Sequence, residues 1–421
     1  MALEQVFECP STLAKLRSVP LGELLEDFCK SLQERGFSRG TTRLHLGNLS
    51  HFNEHLRCPR SQMRRTVAAG EIEEFFHGYA SRCRNRGPVE RHLRRVRYSV
   101  NRFVDYLRGE GRFVATAARP VYEPLLAGYL QWMRSHQHAA PGTIELRAHS
   151  LIRFLKSLGP DATPRGLGRL DGEKVEQFVL AYAAENGRSA RRSMQSALRT
   201  FFRFAVHEGY LRQPLDRAVP TLRTYKLATV PRGISEQQAQ EVLRGIERDT
   251  EVGRRDYAIL QLLSTYGVRG GQVRALRLQE LDWANDQILF KATKHGKDIR
   301  VPMTLEVGEA LLNYLRNGRP ACSCPEVFLT SRAPYQCFPH SNTLSAIVQR
   351  RLRAAGIDLP SAGAHAFRHG FATRMLRQGH ALKAIADVLG HRHLSTTFLY
   401  TKVDFNALKQ VALEWPQEVS R

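Results

Sequence analysis

Apolar residues recur at every third or fourth position through most of this chain, a spacing that predicts amphipathic helices. Two such stripes near the N-terminus contain Leu44, Leu49, Phe52 and Leu56 in one segment and Leu93, Val96, Val100, Phe103 and Leu107 in the next. The pattern changes at 287–294 and 297–303, two short strand-like segments that predict a β-hairpin. The sequence therefore predicts a mainly α fold with a small β-hairpin or sheet in its C-terminal part.

The helical part contains an internal repeat. Residues 38–56 align without gaps with residues 140–158; the identical pairs are Gly40 and Gly142, Thr41 and Thr143, Leu44 and Leu146, Leu49 and Leu151, Phe52 and Phe154, and Leu56 and Leu158. Residues 72–80 and 103–113 then match 175–183 and 201–211 in the same order. Because three blocks recur in one order, the sequence predicts two copies of a helical domain of roughly 90 to 100 residues.

Two segments without periodicity divide the chain into domains. The first is 111–124, and the second is 213–233, which contains Pro214, Pro220 and Pro231. Ser235 then has the position of an N-cap for a new helix. The predicted domains are 1–115 and 120–225, both helical, and 232–421, which includes the hairpin and predicted helices at 305–316 and 342–355.

The charge balance points to a polyanionic partner. The 421 residues include 63 Lys plus Arg against 40 Asp plus Glu, a formal net charge of +23. Such an excess favours nucleic acid as a partner over a merely basic soluble protein. The N-terminus lacks the apolar segment of a signal peptide, and the chain has no apolar run of about 18 residues. Seven cysteines, an odd number, fit reduced thiols, so the sequence predicts a soluble cytoplasmic protein without a membrane segment.

Arginines cluster on the last predicted helix of each repeat. The candidates for DNA contact are Arg91, Arg94 and Arg95 in the first copy and Arg188, Arg191, Arg192 and Arg199 in the second. Charge runs are usually solvated helix faces. Recurrence of one sign of charge at the same place in both copies favours contact with DNA phosphates.

Six residues in the last domain could carry chemistry, although each has an ordinary structural explanation when taken singly. Arg269 lies in a glycine-rich turn between two helices, and Lys294 lies at the predicted hairpin. His365 and Arg368 share a helical face at i, i+3. His391 follows a helix that Gly390 would stop, and Tyr400 comes nine residues later.

Taken together, these segments resemble the tyrosine recombinase (phage integrase) family. The first-arginine motif is similar to GVRGGQVRALRL, the hairpin lysine motif to TKHGKDIRVP, the His-x-x-Arg motif to HAFRHGFAT and the final motif to LGHRHLSTTFLY. The resemblance covers 234–405 in order and spacing. It implies that the second repeat, about 122–212, is a core-binding domain and that the first is an extra domain, as in transposon-associated members.

The resemblance also implies a reaction and its residues. Tyr400 would attack a DNA phosphodiester to leave a 3′-phosphotyrosine, while Arg269 and Arg368 hold the phosphoryl oxygens. His391 would donate a hydrogen bond, Lys294 would protonate the leaving oxygen, with Lys297 as the fallback, and His365 would help to accept the tyrosine proton. His369 and Gln272 would support the site. Gln272 departs from the family, which usually has an acidic residue there, so the activity is expected to be lower or to depend on a partner subunit.

The expected partners follow from the same resemblance. They are double-stranded DNA and a homo- or hetero-tetramer on paired DNA sites, with a second recombinase from the same mobile element as a further possibility. The reaction would serve integration, excision or transposition in the nucleoid, without metal, ATP or another cofactor. Two alternatives stay open: a type IB topoisomerase-like enzyme, and a DNA-binding accessory protein with weakened catalysis.

Two further segments allow two interpretations each. Cys322, Cys324, Cys337 and His340 have a pattern that could hold zinc, but their spacing favours free thiols. The tail 401–415 has helical spacing, which fits either a core-packing helix or a segment that docks onto a neighbouring protomer.

Overall fold

The chain is mainly helical with a small sheet in its C-terminal part, as the sequence predicts, and it has a second small sheet near the N-terminus. The computed structural model describes residues 2–18, 20–57, 66–82, 89–114, 120–221, 233–293, 297–339, 341–359, 363–391, 393–398 and 400. By their contacts the residues form two compact units, one made of 1–116 together with 229–421 and the other of 117–228. Lys294, His340 and the tail after Tyr400 lie outside the described residues.

The N-terminal part of the first unit is helical around its own apolar core. Its elements are α1 (Ala2–Val6), α2 (Pro10–Arg17), α3 (Gly22–Glu34), α4 (Arg39–His55), β1 (Val67–Ala68), α5 (Ala69–Arg82), α6 (Val89–Gly109) and β2 (Phe113–Val114). Leu49, Phe52 and Phe103 are buried in this core, so the predicted periodicity holds at these positions. The parallel β1–β2 pair was not predicted, because a two-residue strand has no readable period.

The second unit repeats this helical arrangement. Its elements are α7 (Glu123–Ser135), α8 (Pro141–Leu158), α9 (Pro164–Leu167), α10 (Gly172–Glu185) and α11 (Arg188–His207). Its core buries Leu151, Phe154 and Phe201, the partners of Leu49, Phe52 and Phe103 in the sequence alignment. The same apolar positions therefore build both cores.

One residue of the apolar stripe is not buried. Leu44, assigned to an apolar stripe from its spacing, is 47% exposed, and its repeat partner Leu146 is 55% exposed. Both residues lie near the start of their helices, on the side that faces away from the core. Leu44 therefore belongs to the helical apolar stripe without contributing to the core.

The C-terminal part of the first unit contains the predicted hairpin. Its elements are α12 (Glu236–Arg244), α13 (Glu251–Tyr266), α14 (Gly270–Ala275), β3 (Leu281–Asp282), β4 (Gln287–Phe290), β5 (Ile299–Pro302), α15 (Leu305–Asn317), α16 (Ser341–Ala354), α17 (Ala364–Arg377) and α18 (Leu382–Val388). The strands form an antiparallel sheet in the order β3-β4-β5, with Phe290 opposite Ile299. The hairpin prediction is confirmed.

Local interactions set where these helices begin and how they pack. Ser235 and Gln238 form a capping box that starts α12, as predicted. On α13, the fully buried Asp256 accepts hydrogen bonds from Arg255, Arg350 and Arg351. These bonds fasten α13 to α16 and so fix the helix that leads to Arg269. None of the helices in the described ranges is long and apolar enough to cross a membrane.

Candidate active site

The first side of the site is formed where α13 ends and α14 begins. Gly267 closes α13 in the left-handed region, with φ of 58°, a conformation that glycine adopts without steric cost. Arg269 follows as the N-cap residue of α14. Its backbone N–H donates to Oε1 of Gln272 at 3.1 Å, which fixes the direction in which the arginine leaves the turn.

The second arginine comes from α17 and meets the first at one turn of the chain. Arg368 donates from Nη1 to the Gly267 carbonyl at 2.9 Å and from Nη2 to the Leu389 carbonyl at 2.7 Å. Arg269 Nη1 lies 3.5 Å from the same Leu389 oxygen and 3.3 Å from that of Gly390. The carbonyls at the end of α18 therefore orient both guanidinium groups.

Both arginine side chains carry their positive charge where burial limits their contact with water. Arg368 is 3% exposed, and burial, together with the nearby charge of Arg269, lowers its pKa to about 10. Burial also lowers the pKa of Arg269. Across the described residues neither arginine forms an ion pair with a carboxylate. Since a buried charge without a counter-charge is costly, the pair forms a site that an anion would stabilise.

Tyr400 lies beside the arginine pair. It is 3% exposed and packs in a small apolar cluster with Ala372, Ile385 and Leu389. Its Oη lies 3.0 Å from Nδ1 of His369. Burial raises the pKa of Tyr400, while the charges of Arg368 and Arg269 act in the opposite direction. The phenol is therefore protonated at neutral pH and needs an acceptor before it can attack.

His369 meets the requirement for that acceptor. Burial, and then the neighbouring His365 and Arg368, lower its pKa to about 4, so its ring is neutral at physiological pH. The ring of His365 lies 6.2 Å from that of His369, and His365 is exposed at the surface. The structure thus brings His365, Arg368, His369 and Tyr400 together, as the sequence predicts.

His391 completes the group from the turn after α18. Gly390 ends this segment with φ of 62°, and the backbone N–H of His391 donates to the Ala386 carbonyl at 2.8 Å. Nδ1 of His391 lies 2.8 Å from Oγ1 of Thr397. The pKa of His391 is lowered to about 4, first by burial and then by Arg368 and Arg269. In the tautomer in which Thr397 donates to Nδ1, Nε2 carries the proton.

Gln272 links the first arginine to the hairpin. It is 2% exposed, and its Nε2 donates to the Lys291 carbonyl at 3.4 Å while its Oε1 accepts from Arg269. The ammonium of Lys291 lies 3.2 Å from the carboxylate of the buried Glu280. Lys294 follows just outside the described residues, and Lys297 is exposed. An amide can serve both neighbours of Gln272, whereas a carboxylate has no donor for the Lys291 carbonyl.

The arginines proposed for DNA contact differ in their surroundings. Arg91, Arg94, Arg95, Arg188 and Arg192 are exposed. Arg191 is half-buried and donates to the Asn186 carbonyl, and Arg199 donates to the Val219 carbonyl and the Thr221 hydroxyl. The exposed arginines remain the better placed candidates.

The sequence analysis assigned no role to two contacts in the site. Thr397 and the Leu389 carbonyl have ordinary positions in the sequence, and only the folded structure shows that they orient His391 and the two arginines.

The zinc hypothesis concerns residues outside the active site. No group of three or more His, Cys, Asp or Glu side chains within the described ranges is placed to hold a metal ion. His340, one member of the zinc hypothesis, is outside those ranges.

Comparison with known proteins gives two family matches. The Phage integrase family matches residues 232–407, and the Phage integrase, N-terminal SAM-like domain matches residues 126–209. The putative integrase/recombinase y4rF of Sinorhizobium fredii is 31% identical over 98% of this chain and 96% of that protein. The putative integrase/recombinase y4rA of the same organism is 38% identical over 60% of this chain, which spans only 61% of that relative.

A solved structure has the same fold. A lambda integrase dimer bound to a COC′ core site matches with a TM-score of 0.53 at 15% identity, over 70% of this chain and 99% of that one. At this level of identity the likeness concerns the fold, so the chemistry depends on this chain's own residues.

Proposed function

We propose that this chain, which belongs to the phage integrase family of tyrosine recombinases, cleaves and rejoins DNA strands at specific sites of a mobile element. The observation that carries the proposal is the pair formed by the buried Arg368 and the half-buried Arg269. This pair has no carboxylate partner in the described ranges and stands beside the buried Tyr400. A DNA phosphate supplies the missing negative charge. The planar guanidinium group of an arginine can donate two parallel hydrogen bonds to phosphate oxygens.

The reaction begins with the phenol of Tyr400. Its oxygen attacks the phosphorus in line with the leaving 5′-oxygen, and a 3′-phosphotyrosine bond forms as the bond from phosphorus to the 5′-oxygen breaks. The phenolic proton passes to His369, whose neutral Nδ1 already lies 3.0 Å from the oxygen. His365, next to His369, assists this transfer.

The other residues stabilise the charge that develops. Arg269 and Arg368 bind the nonbridging oxygens with the N–H groups that do not hold backbone carbonyls, and His391 adds a hydrogen bond from Nε2. We assign the proton for the leaving 5′-oxygen to Lys294 on the hairpin, with Lys297 as the fallback. Because the phosphotyrosine preserves the bond energy, the reverse attack by a 5′-hydroxyl rejoins a strand without another energy source.

The proposal extends to the assembly. Exchange of strands between two DNA sites needs four such active sites, so the protein acts as a homo- or hetero-tetramer on paired DNA in the cytoplasm. The second repeat, 120–225, binds the DNA around the cleavage site through Arg188 and Arg192, with Arg191 and Arg199 supporting that face. A topoisomerase is not favoured, because the relatives are integrases and recombinases.

A nicked duplex that traps the covalent intermediate tests the proposal. The duplex carries an end of the element that encodes the chain, with the nick placed so that the cleaved fragment diffuses away. The wild-type protein and a Tyr257→Phe control are expected to form a protein–DNA adduct, and Tyr400→Phe is expected to bind the duplex without forming one. An adduct that survives in Tyr400→Phe would overturn the assignment of the nucleophile.

A further inference from the structure

The connection between α15 and α16 contains a loop, 330–337, that has no place in the proposed reaction and yet has a fixed shape. The backbone N–H of Thr330 donates to the Gln336 carbonyl at 2.9 Å, and the N–H of Gln336 donates back to the Thr330 hydroxyl at 3.2 Å. Leu329 and Cys337 pair as an antiparallel bridge at the base of the loop. These bonds close the loop, so its tip is presented in one arrangement.

The tip of the 330–337 loop contacts the N-terminal part of the chain. Ala333 packs against the apolar core of that part. The ring of Tyr335 lies against Gly36, where a Cβ would come within 3.0 Å of two ring carbons. The contacting residues are separated in the chain by the whole second unit, although the N-terminal and C-terminal parts belong to one compact unit. The loop therefore joins two distant parts of the chain by nonpolar contacts.

Gly36 suits this contact for two reasons. Its φ of 79° lies in the left-handed region, which glycine adopts without steric cost. The Tyr335 ring also occupies the space that a side chain at this position would need. The turn after α3 thus offers bare backbone on which the ring lies.

The base of the loop is bonded to both helices that flank the turn at Arg269. Arg255 of α13 donates from Nη1 to the Leu329 carbonyl at 3.1 Å, and Arg274 of α14 donates from Nη1 to the Phe338 carbonyl at 3.0 Å. Helix α13 ends just before Arg269, and α14 begins just after it. Because each end of the loop is bonded to one of these helices, a displacement of the loop reaches the turn that presents the first arginine.

We propose that the 330–337 loop is a docking site for the N-terminal part of the chain, and that docking holds the Arg269 turn in the arrangement that cleaves DNA. The docked tip loses freedom because Ala333 and Tyr335 pack on a folded domain, and the base of the loop then keeps α13 and α14 at a fixed spacing. The effect on cleavage rests on the proposed function, whereas the docking itself does not. The N-terminal part regulates the catalytic part through this protein contact.

Hydrogen–deuterium exchange of the full chain without DNA tests the docking. Gly36→Asn places a side chain against the Tyr335 ring, and asparagine tolerates a left-handed backbone better than most residues with a Cβ. The matched control is Gly111→Asn, where φ is 66° and a new Cβ meets no other heavy atom within 4 Å. Exchange of the backbone amides in the 330–337 loop is expected to be faster in Gly36→Asn and unchanged in Gly111→Asn. A loop that exchanges at the wild-type rate in Gly36→Asn would overturn the docking.

The reciprocal substitution leaves the N-terminal sequence unchanged. Tyr335→Ala removes the ring, and Tyr335→Phe keeps it. The N–H groups of Gly36 and Phe37 donate to the Gln33 and Leu32 carbonyls at 2.9 and 3.0 Å, so their exchange reports on the turn after α3. Exchange there is expected to rise in Tyr335→Ala and to stay at the wild-type rate in Tyr335→Phe. Since the change is made in another part of the chain, the response does not depend on how the N-terminal part tolerates a mutation, and its absence would contradict the docking.

The rate of adduct formation tests the coupling to Arg269. At protein concentrations that saturate the nicked duplex, Tyr335→Ala is expected to form the adduct at least about 5-fold more slowly than the wild type, the lower end of typical coupling between two sites. Tyr335→Phe is expected to react at the wild-type rate. Faster exchange at Gly36 in Tyr335→Ala with an unchanged or higher rate of adduct formation would refute the coupling.

Failure of the docking and failure of the proposed function give different results. If the wild type forms no adduct, the proposed function and its control by docking are both wrong, while the exchange rates still decide whether the docking contact exists. An adduct with the wild type, together with unchanged exchange in both Gly36→Asn and Tyr335→Ala, would leave the proposed function standing and remove only the docking.

Discussion

Tyr400 and His369 are joined by a hydrogen bond of 3.0 Å between the phenolic oxygen and Nδ1 of the ring. His369 is one turn further along α17 than His365, so the histidine of the recognisable motif and the histidine in contact with the tyrosine are different residues. The contact couples the nucleophile to a ring that is neutral at physiological pH, since the pKa of His369 is lowered to about 4.

Replacing His369 should therefore slow cleavage more than it weakens DNA binding. We expect His369→Ala to reduce the single-turnover rate of adduct formation by about 100-fold, the usual contribution of a positioned general base. His380→Ala, an exposed histidine just beyond the same helix, is the control and should cleave at the wild-type rate. An unchanged rate in His369→Ala would show that another group accepts the proton.

The pH dependence of that rate has a definite sign. Protonation removes the acceptor on His369, and with a pKa of about 4 this happens only in acid. As far as His369 is concerned, the wild-type rate should stay level from neutral pH down to about 5 and fall below that. A fall centred near the ordinary histidine pKa of about 6.5 would show that His369 is not the base.

Acid should also destabilise the fold through its buried histidines. Burial lowers the pKa values of His45 and His391 to about 4, below the value of about 6.5 in an unfolded chain. The unfolded state then binds more protons between these values, so stability is complete above about pH 6.5 and decreases as the pH falls towards 4. Each histidine should contribute about 3 kcal/mol to this loss, because each pH unit between the two pKa values is worth about 1.4 kcal/mol.

Thermal melting across this pH range checks the effect for the N-terminal part. Nε2 of His45 has no hydrogen-bond partner among the described residues, so protonation of this ring is especially unfavourable. His45→Asn should lower the melting temperature at neutral pH and flatten its dependence on pH, whereas the exposed His380→Asn should change neither. A variant at His45 with the full wild-type pH dependence would refute this account.

The sequence predicted the helical class and the hairpin because these depend on local patterns. Leu49 and Phe52 follow helical spacing, and Gly267 and Gly390 end helices at the positions that the sequence predicts. Spacing alone could not show that Leu44 is exposed, because it does not distinguish a core position from an outward position at the edge of an apolar stripe. The sequence also could not show that Leu389 offers its carbonyl to both arginines, since backbone oxygens carry no sequence signal.

Gly267 should tolerate no side chain, because two constraints meet there. Its φ of 58° lies in the left-handed region, and a Cβ would come within 2.6 Å of the Phe371 ring. Gly267→Ala should destabilise the unit by about 2 kcal/mol or more and disturb Arg368, which bonds to the Gly267 carbonyl.

The matched control is Gly308→Ala, within α15 of the same unit. There a new Cβ would make only ordinary contacts, at 3.5 Å from the Met303 sulfur. Alanine in a helix interior should stabilise by about 0.5 to 1 kcal/mol. Melting curves of the two variants should shift in opposite directions, and a stable, active Gly267→Ala protein would show that the turn can relax.

Gln272 offers a test in which the comparison with the family and the structure of this site predict opposite results. If the site is weak because it lacks the acidic residue usual in the family, Gln272→Glu should speed cleavage. The structure predicts the reverse, because Nε2 of Gln272 donates to the Lys291 carbonyl at 3.4 Å while Oε1 accepts from Arg269. A buried carboxylate would retain the bond from Arg269 but would place a charged oxygen against the Lys291 carbonyl. This repulsion would separate the hairpin from the first arginine.

We expect the adduct to form about 10-fold more slowly with Gln272→Glu than with the wild type. The DNA affinity should be close to that of the control Gln378→Glu, which adds the same charge at an exposed position of the unit. Gln272→Met, which removes both bonds without adding charge, should also be slow. A Gln272→Glu protein faster than wild type would mean that the missing charge, and not the link to the hairpin, limits the reaction.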